Sequence, residues 1–213
     1  MSDWLEQSEI TDAVRELSQR CLAAYEANPY LIAEHVGTER SIAEGGYGRR
    51  QLYELVQNGA DAALDAELTE ARIAVVLTAG ALYCANQGDP ITPDGVIAIL
   101  SAHHSAKRGD QIGRFGLGFK SVLAVTDAPH FFSKSGSFRF DPQSARTDIS
   151  KITEAERVPS LRLAYPLAPA HEQQSDPVLT ELMEWADTIV RLPINEQGAA
   201  WLHDDIKSFP AEF

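Results

Sequence analysis

The stretch Glu54-Leu-Val-Gln-Asn58-Gly-Ala-Asp61-Ala62 decides the reading of this fold, because it carries two helical stripes at once. At roughly 100° per residue, Glu54, Asn58 and Asp61 share one side of a helix. The offset side reads Leu52, Leu55, Val56, Gly59 and Ala63, an apolar, small-residue face suited to lie flat on a sheet. One face packs and the other presents oxygens. An ordinary amphipathic surface helix shows the same alternation with its polar residues merely solvated. Against that stands Asn58, a poor helix former set between two acids.

Some fifty residues on comes Ile112-Gly113-Arg-Phe115-Gly116-Leu117-Gly118-Phe119-Lys120-Ser121. The glycines allow close approach of a ligand to the backbone, while Phe115, Leu117 and Phe119 anchor the turn. The run continues apolar and without proline, which predicts a helix N-terminus there, a place whose free N–H groups suit phosphate. Gly-rich turns also arise wherever strand and helix simply pack tightly. The P-loop order is absent, and no strand-turn-helix dinucleotide unit surrounds these glycines.

Between the two lies Leu82-Tyr-Cys-Ala-Asn86-Gln-Gly88-Asp-Pro90-Ile91-Thr92, a predicted strand ending in a polar turn. Thr92 then reads as the N-cap of a further helix with Pro93 in its first turn.

In order and spacing these three elements resemble the ATP-binding domain of the GHKL family, which groups DNA gyrase, a heat-shock chaperone, sensor histidine kinases and MutL. The Asn86-Gln-Gly88 turn, the short Ser105-Ala-Lys107 segment and the Gly-Phe-Lys-Ser ending look most like its sacsin-type branch, often the N-terminal module of long chains. The resemblance covers roughly residues 47 to 194.

It implies a two-layer α/β sandwich (Bergerat fold), with a mixed, mainly antiparallel sheet and helices on one face. It implies that Glu54 is the general base acting on water, that Asn58 is the magnesium ligand, and that Asp61 and Ala62 line the pocket floor. Asn86 falls where the family has an aspartate accepting from the adenine amino group, and Gly88 where a glycine lets the base lie close to the backbone. Asn86 for Asp and Pro90 for a second glycine are departures, and they put base selectivity in question, although an Asn carbonyl still accepts a hydrogen bond. The resemblance adds Ile91 to the pocket, makes Gly113, Phe115, Gly116, Leu117, Gly118, Phe119 and Lys120 the phosphate-cradling turn, and carries Thr188 to the adenine edge. Thr188 is equally at home in any strand. Lys107 and Lys120 are the candidates for the terminal phosphate, and the implied cofactors are ATP and Mg2+.

A chain of 213 residues, 44% apolar, holds one full core and is too short for two enzymatic domains. We divide it into a helical arm, residues 1–46, and the ATP-binding domain, residues 47–213, as the N-terminal part of a longer protein. Cys21 and Cys84 suffice for neither a disulfide scaffold nor a zinc site. With no signal peptide and no long apolar run, the expected setting is cytoplasmic, without a membrane. The net charge of −13 argues against direct nucleic-acid binding by this domain. Basic residues gather instead near the proposed pocket, at Arg49, Arg50, Lys107, Arg108, Arg114 and Lys120, although a scatter of solvated side chains produces the same picture.

Coarse patterning predicts helices over Ile10–Glu26, on to Val36, and from the Glu54 region to Glu67, then a hairpin of Ile73–Thr78 with Leu82–Ala85. Residues 37–48 and the connector 141–160 read as loops, as does 166–176, and residues 101–111 read as a lid in which His103 and His104 are solvated. Strands are predicted at His130–Ser133, Ser137–Phe140, Leu161–Ala164 and Thr188–Leu192, with helices at Val178–Glu184 and after Asn195.

The expected function is magnesium-dependent ATP binding with slow hydrolysis that drives switching of attached C-terminal domains or of a second protomer. Two alternatives remain, a nucleotide sensor that never hydrolyses and a histidine-kinase-type phosphotransferase module. The second needs a phosphoacceptor helix, and neither His35 nor His103 and His104 sits in one.

Overall fold

The computed structural model describes residues 4–44, 50–101, 119–195 and 202–209. Its sheet has six strands in the order β1-β2-β6-β3-β4-β5, and all five pairings are antiparallel. The strands are β1 Ile73–Leu77, β2 Ala81–Asn86, β3 His130–Ser133, β4 Phe138–Phe140, β5 Ala164–Pro166 and β6 Thr188–Pro193.

Against one face lies the main helical layer, α1 Glu9–Ala27, α2 Tyr30–Glu44, α3 Gln51–Asp65 and α4 Pro93–Leu100, with a 3-10 helix at Phe119–Ala124. Alternation along the strands sends Leu82, Cys84, Val190, Leu192 and Phe131 into this layer, where they meet Leu52, Leu55 and Val56 of α3. Phe131 stacks on Phe138 at 4.7 Å between ring centroids, and both are fully buried. A side chain of that size contributes about 1.5–3 kcal/mol when buried.

The one-face expectation describes this main layer. The opposite face of the sheet carries a second core, formed by Tyr83, Ala85, Phe132 and Ile189 under α6 Pro169–Gln173 and α7 Pro177–Met183. The remaining helices are α5 Pro142–Ser150 and α8 Leu202–Ser208.

Three helix starts follow one device. Thr92, Asp141 and Asp176 each accept a hydrogen bond from a first-turn N–H and are each followed by proline. Helix α1 instead begins in a capping box between Ser8 and Thr11, and its Ser18 hydroxyl bonds both backbone groups of Ala164, covering the β5 edge.

The structure corrects five local expectations. Helix α2 runs through Gly37 to Glu44, because Glu39 beyond the glycine is buried and accepts the Ser160 and Leu161 N–H groups. The connector 141–160 contains α5, the loop 166–176 contains α6, and the segment after the glycine-rich turn is a 3-10 rather than an α-helix. The expected strand at Leu161–Ala164 begins later, at Ala164.

Candidate functional site

Helix α3 approaches β2 closely at Gly59, where an added Cβ lies 3.0 Å from the Asn86 Cβ. That approach leaves a cavity of about 480 Å3 between α3, α4 and the sheet. Asn58 and Ala62 from α3, Asn86 from β2, Ile91 from the turn after it and Thr188 from β6 line its wall. Five residues named from sequence thus meet around one hollow.

The hollow's polar groups are held in place. Asn86 donates its amide nitrogen to the Gln87 carbonyl at 3.2 Å, which leaves its side-chain oxygen to accept. The Ile91 N–H donates to Ser133 Oγ at 3.0 Å, Ser135 Oγ donates to the Ile91 carbonyl at 2.6 Å, and Ser133 Oγ lies 3.3 Å from Thr188 Oγ1. Asn58 is 9% exposed, and its amide nitrogen has no partner among the described residues. A buried donor left so costs about 1–3 kcal/mol, which a hydrogen-bonding ligand removes.

Gly88 does a structural job at the cavity's rim. Its φ is +133°, and an added Cβ lies 2.5 Å from the Ala62 carbonyl carbon and oxygen. Its N–H donates to Asp187 Oδ2 at 3.0 Å, the Asp89 N–H donates to the Ala62 carbonyl at 3.0 Å, and Lys134 Nζ donates to Asp187 Oδ1 at 2.7 Å. The turn is therefore tied to α3 on one side and to the start of β6 on the other.

Glu54 sits one turn before Asn58 on α3 and is half-buried, as is Asp61; neither lines the cavity wall. Phe119 packs in the main core. Lys120 is buried and donates its amine to the Ser101 carbonyl at the cavity's edge. Burial, with the neighbouring Arg162 guanidinium, lowers its pKa to about 8 against the opposing Glu39 carboxylate. Arg162 donates to the Leu100 carbonyl at 2.8 Å, so two cations meet the C-terminal end of α4. Lys107, Gly113, Phe115, Gly116, Leu117 and Gly118 lie outside the described residues, as does residue range 102–111 of the expected lid.

Sequence reasoning missed several wall residues. Cys84 and Val190 lie two residues from Asn86 and Thr188, so strand alternation alone points to them. Burial pushes the Cys84 thiol up to about 12, which makes it a small apolar wall group rather than a nucleophile. Asp89, Asp94 and Ser101 come from the turn and from α4, with no motif of their own. Glu39 was missed as well. Buried on α2, it accepts the Ser160 and Leu161 N–H groups at 2.6 and 2.8 Å, and burial raises its pKa against those bonds.

A larger groove of about 860 Å3 runs between α2 and residues 153–157, but none of the candidate site residues named from sequence lines it. Among the described residues no group of three or more His, Cys, Asp or Glu is placed to hold a metal ion. Among them, too, no helix is long and apolar enough to cross a membrane.

Protein NO VEIN of Arabidopsis thaliana is 35% identical over 92 residues, which is 42% of this chain and 3% of that protein. The chain thus spans a small fraction of that relative's length. The Sacsin domain matches residues 41–210, a span that takes in α3, the whole sheet and every wall residue of the cavity. The chain therefore belongs to the sacsin-domain family.

Proposed function

We propose that this sacsin-type domain binds ATP with magnesium in the cavity beside α3 and hydrolyses it slowly. The observation that carries the reading is the convergence of Asn58, Ala62, Asn86, Ile91 and Thr188 on one cavity of about 480 Å3. That volume falls in the range of small-molecule sites, roughly 300–1,000 Å3.

The residues present fit the nucleotide. The Asn86 side-chain oxygen is free to accept from an exocyclic amino group, while Ile91 and Val190 supply apolar wall for a base. Asn58 offers the metal an oxygen, and its unpartnered amide nitrogen donates to a phosphate oxygen. Magnesium is commonly bound through one or two protein oxygens together with substrate phosphates, and it neutralises charge developing on them. Glu54, one turn away on α3, takes the proton of the attacking water. In this reading the glycine-rich turn from Gly113 to Lys120 supplies phosphate-binding N–H groups, with Lys107 or Lys120 at the terminal phosphate.

The nucleotide state acts on attached C-terminal domains or on a second protomer, with residues 1–46 as an arm and residues 47–213 as the nucleotide-binding unit. The arm has a direct mechanical route to the site, since α2 packs on the 3-10 helix that carries Lys120.

Thermal shift with ATP, ADP and GTP, with and without magnesium, tests the reading. At one hundred times Kd the expected stabilisation is about 2.7 kcal/mol, or roughly 5–10 °C for a chain of this size. No shift with millimolar Mg-ATP refutes binding, and equal shifts with GTP refute adenine selectivity. Turnover that survives Glu54→Ala removes the base from Glu54.

A further inference from the structure

Helix α3 carries a polar side chain whose position nothing among the described residues explains. Gln51 is 0% exposed, and neither its amide nitrogen nor its amide oxygen has a hydrogen-bond partner among the described residues. Native interiors seldom leave both ends of an amide unpaired. Gln51 also lies on a telling row. Residues 51, 55, 58 and 62 fall within about 60° of one another around a helix, and Leu55, Asn58 and Ala62 all line the cavity. Gln51 extends that row by one turn, beside Glu54. The 3-10 helix packed against α3 brings a second group of the same kind, Ser121, which is 2% exposed and whose hydroxyl has no partner among the described residues. Gln51, Ser121 and the Asn58 amide nitrogen are thus buried polar groups left unpaired among the described residues on two elements packed together, and Asn58 is the one of the three that lines the cavity.

We infer that Gln51 is a positioning residue for the attacking water. The inference rests on the ATP-hydrolysis reading and deepens it. A carboxamide can accept one water hydrogen and donate to a second oxygen, so it fixes a water's orientation without taking its proton. Glu54 takes the proton, the water oxygen bonds to the terminal phosphorus, the bond from that phosphorus to the bridging oxygen breaks, and ADP departs with that oxygen. Ser121, on the 3-10 helix packed against α3, holds a neighbouring water.

The test is Gln51→Met, with Ser121→Ala as the second variant, in steady-state ATP turnover, nucleotide binding and unliganded thermal unfolding. Gln51→Met is expected to lower kcat at least tenfold, keep KM for ATP within about twofold, and leave the unliganded Tm unchanged or higher. Ser121→Ala is expected to lower kcat a few-fold at constant KM. An unchanged kcat in Gln51→Met, or a lowered unliganded Tm with kcat and KM falling together, overturns the inference in favour of a packing role. If Gln51→Met does not fold, an unchanged kcat in Ser121→Ala overturns it. Wild-type protein that gives no turnover at all sinks the hydrolysis reading itself, a result distinct from turnover that Gln51→Met leaves intact.

Discussion

Gly88→Ala isolates the joint between the turn and α3. Gly88 has φ +133°, and a Cβ there meets the Ala62 carbonyl carbon and oxygen at 2.5 Å and the Ala63 nitrogen at 2.7 Å. These are backbone atoms of a helix, so no side-chain rotation relieves the contact. Holding a non-glycine residue in such a conformation costs about 1–3 kcal/mol. Pushing the turn off α3 also breaks the Asp89 to Ala62 hydrogen bond of 3.0 Å, a further loss of about 1 kcal/mol. The expected destabilisation is about 3 kcal/mol, which corresponds to a fall in Tm of roughly 6–12 °C for a chain of this size. Urea and thermal unfolding followed by circular dichroism measure it, with Gly80→Ala as the control, since a Cβ at Gly80 meets nothing within 4 Å. A loss below about 1 kcal/mol for Gly88→Ala, or an equal loss at Gly80, refutes the reasoning.

Two other outcomes follow from the same contacts. In Gly59→Ala, the gain in helix propensity of about 1 kcal/mol offsets a Cβ set 3.0 Å from the Asn86 Cβ; stability is expected to change by less than about 1 kcal/mol while ATP affinity, read by calorimetry, falls because Asn86 is displaced. His130 gives a pH signature. Burial, with the Arg191 guanidinium beside it, lowers its pKa to about 4, so between the unfolded value near 6.5 and pH 4 the unfolded chain binds a proton that the folded chain refuses. Stability is therefore expected to fall as pH drops through that window, by up to about 1.4 kcal/mol per unit, and His130→Phe should flatten the dependence; parallel curves in urea titrations at pH 7 and pH 5 contradict this.

The elements that shape the cavity were legible because each carries its own local signal. Helix α3 shows an apolar stripe, β2 a run bounded by a polar turn, and α4 the pairing of Thr92 with Pro93. Helix α5 carries the same start signal in Asp141 and Pro142, but it buries only Ala145 and Ile149, so its pattern reads as a polar connector. Gly37 looked like a stop because glycine lowers helix propensity, yet tertiary packing of Ile32 and Glu39 carries α2 past it. The site itself was only partly visible. Asn58, Asn86 and Thr188 stand out by residue type, whereas Glu39 and Gln51 acquire meaning only through burial, which no local pattern encodes.

Least legible of all was the sheet's far side. There Arg191 donates to Asp176 at 2.7 Å, to Glu172 and to His130, and Tyr83 donates to Asp176 at 2.8 Å. Burial pushes the Asp176 carboxyl up, but the Leu179 N–H, Arg191 and Tyr83 outweigh it and hold the group below the ordinary aspartate range. The partners come from β2, β3, β6 and the two short helices, and no spacing along the chain announces them.

Arg191 occupies the same strand as Thr188 and Val190, facing the opposite way. A slip of β6 by one residue would turn the guanidinium toward the hollow and bury Thr188 beneath the two short helices. The ion pairs on the reverse of the sheet thus act as an alignment pin: groups with no access to a ligand dictate which side chains a ligand meets.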